Sequence, residues 1–116
     1  MSASRRSASH GLQTLKAEFF RALAHPVRIR LLEVLVGEEQ TVQALQQRLQ
    51  LAQPIVSQQL AKLRASGIVV ARKDGTNVSY APADPILAEL LKVAKQILDR
   101  RLVRARSLLR ELRSER

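Results

Sequence analysis

The chain has 116 residues, no cysteine, 46% hydrophobic and 3% aromatic residues, and 20 Lys and Arg against 10 Asp and Glu, a formal net charge of +10. One domain with an aliphatic core is expected at this length; disulfides, thiolate metal sites and thiol redox chemistry are excluded, and no apolar run reaches the roughly 18 residues of a membrane span. The positive excess favours a polyanionic partner, and the scarcity of aromatic rings weighs against single-stranded nucleic acid, which is usually gripped by stacking.

Residues 1–10, rich in Ser, Ala and Arg, are expected to form a flexible basic arm without the apolar core of a secretory signal. Arg5 and Arg6 in it are either solvated or touch phosphate. Residues 11–116 are expected to form the folded domain. Leu12, Leu15, Phe19 and Leu23 follow helical spacing up to Ala24. His25–Pro26 interrupts that helix, because proline disfavours helical geometry in the residue before it and suits the first turn of a new helix. The second helix runs through VRIRLLEVLV to Gly37, with Val27, Ile29, Leu31, Leu32 and Leu35 as core and Arg28 and Arg30 facing outward or toward a partner. A third helix is predicted over Thr41–Leu49, with Thr41 as N-cap and Val42, Leu45 and Leu49 on one face. The short connection QLAQ follows, Pro54 opens a fourth helix, and Gly67 ends it as a C′ residue. Helix, short turn, helix is the spacing of a helix-turn-helix.

Ile68–Lys73 and Thr76–Ala81 are rich in β-branched residues and flank Asp74–Gly75, a hairpin signal. Asp84–Pro85 reads as N-cap and first turn of a last helix over about residues 85–113. An apolar stripe runs along it through Leu87, Leu91, Ala94, Leu98, Leu102, Ala105, Leu109 and Leu112. So long a helix cannot be buried in one small core, so its stripe asks for a second copy of the chain. The expected architecture is mainly α with a β-hairpin wing: a winged helix-turn-helix in the order α-α-α-α-β-β-α. It is expected to form a homodimer through the first and last helices, with Leu12, Leu15, Phe19, Leu87, Leu91, Ala94, Leu98 and Leu102 in the interface.

The fourth helix carries the candidate chemistry. At 100° per residue, Val56, Leu60 and Leu63 share one face and belong to the core. The opposite face holds Pro54, Gln58, Ala61 and Lys62, with Ser57 on its flank. Gln58 has the side chain for a bidentate pair with adenine in the major groove. Ser57 reaches a base or a phosphate, Lys62 a phosphate, and Gln53 the backbone. Ala61 permits close approach or meets a thymine methyl. Gln59 and Arg64 fall near the core edges and are weaker candidates. In the wing, Arg72, Lys73 and Asn77 lie at or near the tip, where such residues follow the backbone or enter the minor groove. Tyr80 is expected to pack behind the wing.

The stretches FFRALAHPVRIRLLEVL, PIVSQQLAKLRASGIVVARKDGTNVSYAP and DPILAELLKVAKQIL resemble the ArsR/SmtB family of bacterial transcriptional repressors. The resemblance covers about residues 15–100. It implies binding to double-stranded DNA and repression by promoter occlusion. It also raises two metal sites. The one on the third helix uses cysteines, and TVQALQQRL has none. The one on the last helix falls on Asp84, Ile86, Ile97 and Arg100; isoleucine cannot ligate, and arginine repels a cation. Ala52 departs from the capping serine many relatives carry before the recognition helix. His25 belongs to the helix break and His10 to the arm.

The expected function is therefore a cytoplasmic, sequence-specific DNA-binding regulator, a homodimeric repressor of a palindromic operator. No enzyme activity, metal, cofactor or membrane partner is expected, and the small-molecule effector is unidentified. A non-specific architectural DNA-binding protein, a repressor gated by a small organic ligand between the first and last helices, and a protein-binding module that reuses the fold remain as alternatives.

Overall fold

The structure, a computed structural model, describes the backbone of residues 2–115 and the side chains of residues 11–115. The side chains of the arm expected at residues 1–10, with Arg5, Arg6 and His10, lie outside the described residues. The chain divides into two compact units, Met1–Pro85 and Ile86–Arg116. The first contains α1 (Ser2–Leu23), α2 (Pro26–Leu35), β1 (Gln40–Thr41), α3 (Val42–Leu49), α4 (Gln53–Ala65), β2 (Val69–Asp74) and β3 (Asn77–Pro82); the second is α5 (Leu87–Ser114).

The α1–α2 break forms as the sequence predicts. His25 is extended, at φ −153° and ψ 129°, and Pro26 opens α2. The imidazole Nδ1 accepts a hydrogen bond from the Val27 amide at 3.1 Å, satisfying a donor at the helix start. Leu31, Leu32 and Leu35 are fully buried, whereas Val27 and Ile29, expected in the core, are half-buried. Thr41 caps α3 by accepting from the Ala44 amide at 3.2 Å.

The helix-turn-helix connection is three residues, Gln50, Leu51 and Ala52. Gln50 is left-handed, at φ 55°, which reverses the chain at a modest steric cost. Its side-chain amide donates to the Gln47 carbonyl at 2.8 Å. Ala52 sits at the N-cap of α4 with no side-chain cap, so only its carbonyl serves the helix start, accepting from the Ile55 and Val56 amides. Val56, Leu60 and Leu63 are fully buried and pack with Leu31, Leu32, Leu35 and Leu45 in the core of this unit. Burying each such side chain contributes about 1.5–3 kcal/mol.

α4 ends in a Schellman turn. The Ile68 amide donates to the Leu63 carbonyl and the Gly67 amide to the Arg64 carbonyl, both at 3.0 Å, with Gly67 at φ +73°. Ile68 is buried, and the chain passes directly into β2. The sheet has the order β1-β3-β2, all antiparallel. β1 was not expected; its pairing of Gln40 with Tyr80 and Thr41 with Ser79 makes β3 the central strand. The hairpin turn is Gly75–Thr76, one residue beyond the Asp-Gly pair, because Asp74 still pairs with Asn77. Gly75, at φ +63°, takes the first central position, as in a II′ turn.

α5 has 28 residues, roughly 42 Å of helix. It starts later than expected: Ile86, not Asp84, stands at the N-cap, and its carbonyl receives the first helical bonds, from Glu89 and Leu90. Leu98, Leu102, Leu109 and Leu112 of the apolar stripe are exposed, as are Val93, Ile97, Val103 and Leu108 beside it. Leu91 is half-buried and Leu87 is buried.

A Cβ on Gly67 meets no atom within 4 Å, so only its backbone angle requires glycine. Gly67→Ala is therefore expected to lower unfolding stability by about 1–2 kcal/mol, and Gly67→Asn by less. Urea denaturation followed by circular dichroism checks this; an alanine variant as stable as the parent contradicts the assignment.

Candidate nucleic-acid interface

The candidate surface is built outward from the core face of α4. Because Val56, Gln59, Leu60 and Leu63 are buried, the helix can present only the opposite side to a partner. Pro54, Gln58, Ala61 and Lys62 are exposed there, and Ser57 is half-buried on the flank. Gln53 is exposed at the first turn, and its amide nitrogen donates to the Ser57 hydroxyl at 2.7 Å, fixing the two as a pair. α4 contains no acidic residue, and both its cations, Lys62 and Arg64, lie in its last turn. The exposed face thus offers the hydrogen-bonding groups of Gln58 and Lys62 between small or apolar residues, without like-charge repulsion toward an anion.

Gln59 is 7% exposed, in keeping with its place near the core edge. Its carbonyl oxygen accepts from Arg28 Nε at 2.8 Å. The same guanidinium donates through Nη1 to the Ala22 carbonyl at 3.0 Å. Arg28 therefore faces inward, which corrects the expectation that it points outward or to a partner. The reason is chemical: the last carbonyls of α1 and a buried amide both need a donor. Arg30 is exposed, and its Nη2 donates to the Leu49 carbonyl at the end of α3, at 2.9 Å.

The wing residues do not form one cluster. Arg72 pairs across the ladder with Ser79 and Lys73 with Val78, and successive strand side chains point to opposite faces. Arg72 lies 3.7 Å from Glu39 in an exposed ion pair, of small worth in water. Asn77 flanks the turn. It lines an open depression of about 250 Å³ with Thr76, Val78, Gln53, Val42 and Gln43. Here the structure brings together Gln53 and Asn77, read from the sequence, and adds Gln43 and Thr76, which were not. Gln43 stands just after the Thr41 cap, and that position was its available signal: a first-turn polar residue of the helix that precedes the recognition helix. Tyr80 is half-buried in the central strand, consistent with packing.

Among the described residues, no three His, Cys, Asp or Glu side chains are grouped to hold a metal ion, and no helix is long and apolar enough to cross a membrane.

A family model described as a helix-turn-helix domain matches residues 23–72, from the end of α1 into β2. The chain is 46% identical over 107 residues to an uncharacterized HTH-type transcriptional regulator of Mycobacterium tuberculosis, Rv0081, covering 91% of this chain and 94% of the relative. The crystal structure of that protein matches with a TM-score of 0.75 at 47% identity, over 81% of this chain and 95% of the other. The HTH-type transcriptional repressor SmtB of the same organism is 40% identical over 74 residues, 64% of this chain and 55% of that protein. The solution structure of a homodimeric winged helix-turn-helix DNA-binding domain from Mycobacterium bovis, Mb0332, described as a possible ArsR-family regulator, matches with a TM-score of 0.74 at 28% identity, over 81% of this chain and 87% of that one. This chain belongs to the ArsR/SmtB family of winged helix-turn-helix transcriptional regulators.

Proposed function

We propose that the protein is a homodimeric repressor that reads a palindromic operator in double-stranded DNA. The observation that carries the reading is the exposed face of α4, which presents Gln58 and Lys62, contains no acid and is set opposite three fully buried aliphatic residues. In this reading each recognition helix enters a major groove, and the two grooves lie roughly 34 Å apart on one side of the duplex. Gln58 pairs with an adenine edge; Ser57, oriented by Gln53, and Lys62 contact the backbone. Ala61 and Pro54 present little bulk and permit close approach. Arg72, Lys73 and Asn77 of the wing follow the adjacent backbone or minor groove. Arg72 and Lys73 diverge, so one at most enters a given groove.

The partner copy covers the apolar faces of α1 and α5. Leu12 and Leu15 are 56% and 63% exposed, and Leu98 and Leu102 are 55% and 59% exposed. Aliphatic surface of this extent on a soluble regulator is normally covered. Phe19, 38% exposed, Leu91 and Ala94 belong to the same proposed interface. The relative named as a repressor and the neighbour named as a homodimer support this reading. No metal or enzyme chemistry enters it, and the working compartment is the cytoplasm.

Duplexes selected by the protein from a random-sequence pool test the reading. A palindrome with half-sites about one helical turn apart is expected. Equal affinity for selected and random DNA would point to an architectural role instead. On the selected duplex, Gln58→Ala should cost about 1–3 kcal/mol and relax specificity at one position per half-site, while Lys62→Ala should weaken all sequences alike and reduce the salt slope by about one. Unchanged operator affinity in Gln58→Ala would remove that residue from base reading.

Sedimentation at micromolar concentration should give a dimer. Leu98→Glu with Leu102→Glu should shift it toward monomer and lower operator affinity, since each monomer then holds one half-site. A monomeric parent protein would rule out the two-fold operator.

A further inference from the structure

Arg28 is the point where three helices meet. It belongs to α2, its Nη1 donates to the Ala22 carbonyl of α1 at 3.0 Å with the Arg21 carbonyl at 3.5 Å, and its Nε donates to the buried Gln59 amide of α4 at 2.8 Å. A guanidinium is planar, and its donors form a rigid fork. The Nε and Nη1 bonds therefore fix one orientation of the guanidinium and tie α4 and α1 to the same side chain. Gln59 directly follows Gln58, the proposed base-reading residue, on the same helix. Rotation or sliding of α4 that re-aims Gln58 must also move the Gln59 amide away from Nε.

From this geometry we propose that Arg28 and Gln59 are positioning residues for DNA reading: together they lock the rotation of the recognition helix to the C-terminal end of α1. Neither side chain touches DNA. Gln59 lies on the buried face of α4, and the half-buried Arg28 guanidinium donates through Nε and Nη1 to acceptors of the protein itself. The inference rests on the proposed role of α4 in base reading. It adds that the aim of that helix is set from α1, whose apolar face is proposed to meet the partner copy. A shift of α1 at its C-terminal end would thus be felt at Gln58 through a single side chain.

The test uses the full-length protein and a duplex that the parent selects from a random pool, with random DNA as reference. Gln59→Leu keeps the volume and removes the acceptor; Arg28→Lys keeps the charge and removes the fork. Each is expected to lower affinity for the selected duplex on the order of tenfold. Random-DNA affinity should change less than about twofold, because backbone contacts dominate there. The salt slope should stay at the parent value in Arg28→Met. The double variant Arg28→Lys/Gln59→Leu should be no weaker than either single one, as expected for two groups that act through each other. Gln59→Glu, which keeps an acceptor for Arg28, should retain most of the parent preference, and Arg28→Lys carries the test if Gln59→Leu fails to fold.

Measurements are made well below each variant's melting temperature, so that a purely structural loss leaves the ratio of selected to random affinity at the parent value. That outcome would overturn the proposal, as would additive losses in the double variant. A salt slope reduced by about one in Arg28→Met would make Arg28 a phosphate contact and also overturn it. A parent protein that selects no duplex would count against the operator reading rather than against the lock.

Discussion

The structure of the first unit depends on one constraint: the buried arc of α4. Val56, Leu60 and Leu63 are fully buried, and rotating the helix by one residue would carry this set about 100° around the axis, toward water. Several kcal/mol of apolar burial oppose that rotation. The arc is closed on one side by Gln59, a polar residue that would cost about 1–3 kcal/mol if left unpaired. Arg28, 31 residues earlier, supplies its partner. Apolar burial thus sets which face of α4 is exposed, and a hydrogen bond refines its angle.

The same economy appears in how the protein uses its positive charge. A net charge of +10 suggests a surface made for a polyanion, but two of the arginines on α2 serve the fold. Arg28 reaches the last carbonyls of α1, and Arg30 reaches the Leu49 carbonyl that ends α3. Both place a cation at the negative end of a helix dipole, where each contributes about 0.3–1 kcal/mol beyond its hydrogen bonds. Another share of the charge lies along α5, in Arg100, Arg101, Arg104, Arg106, Arg110 and Arg113. The face of α4 proposed to read bases carries a single cation, Lys62. Its discrimination must come from neutral hydrogen bonds, which are directional, and the surrounding charge acts as a field that raises the encounter rate.

These uses of charge mark what sequence could and could not disclose. Features written locally were legible. The period of Val56, Leu60 and Leu63 separated core from surface on α4, His25–Pro26 marked a helix break, Thr41 a cap, and Gly67 a left-handed stop. Features that depend on distant partners were not legible. β1 is two residues long and exists because Tyr80 and Ser79 are brought beside Gln40 and Thr41; no propensity signal marks so short a strand. The hairpin turn moved one residue because the strand register keeps Asp74 opposite Asn77. Arg28 looked like a surface cation because nothing in its own helix reveals that α1 ends, and Gln59 is buried, at its reach. At the candidate site, residues on α4 could be assigned by angle, whereas Gln43, marked only by its place in the first turn of α3, and Thr76 join it through tertiary placement.

The energies involved bear on how such a protein would be switched. A ligand changes operator affinity only through a difference in its affinity for two geometries, and a tenfold change requires about 1.4 kcal/mol. A hydrogen bond to a charged group contributes about 1.5–3 kcal/mol when fully made. The Arg28–Gln59 contact is therefore of the right size to set a tenfold change by itself. A displacement of α1 by about an ångström would carry the Ala22 carbonyl out of hydrogen-bond reach of Nη1 and so remove a contact that orients the same guanidinium. If the proposed lock holds, an effector would need no contact with α4: binding that shifts the C-terminal end of α1 would be felt at Gln58.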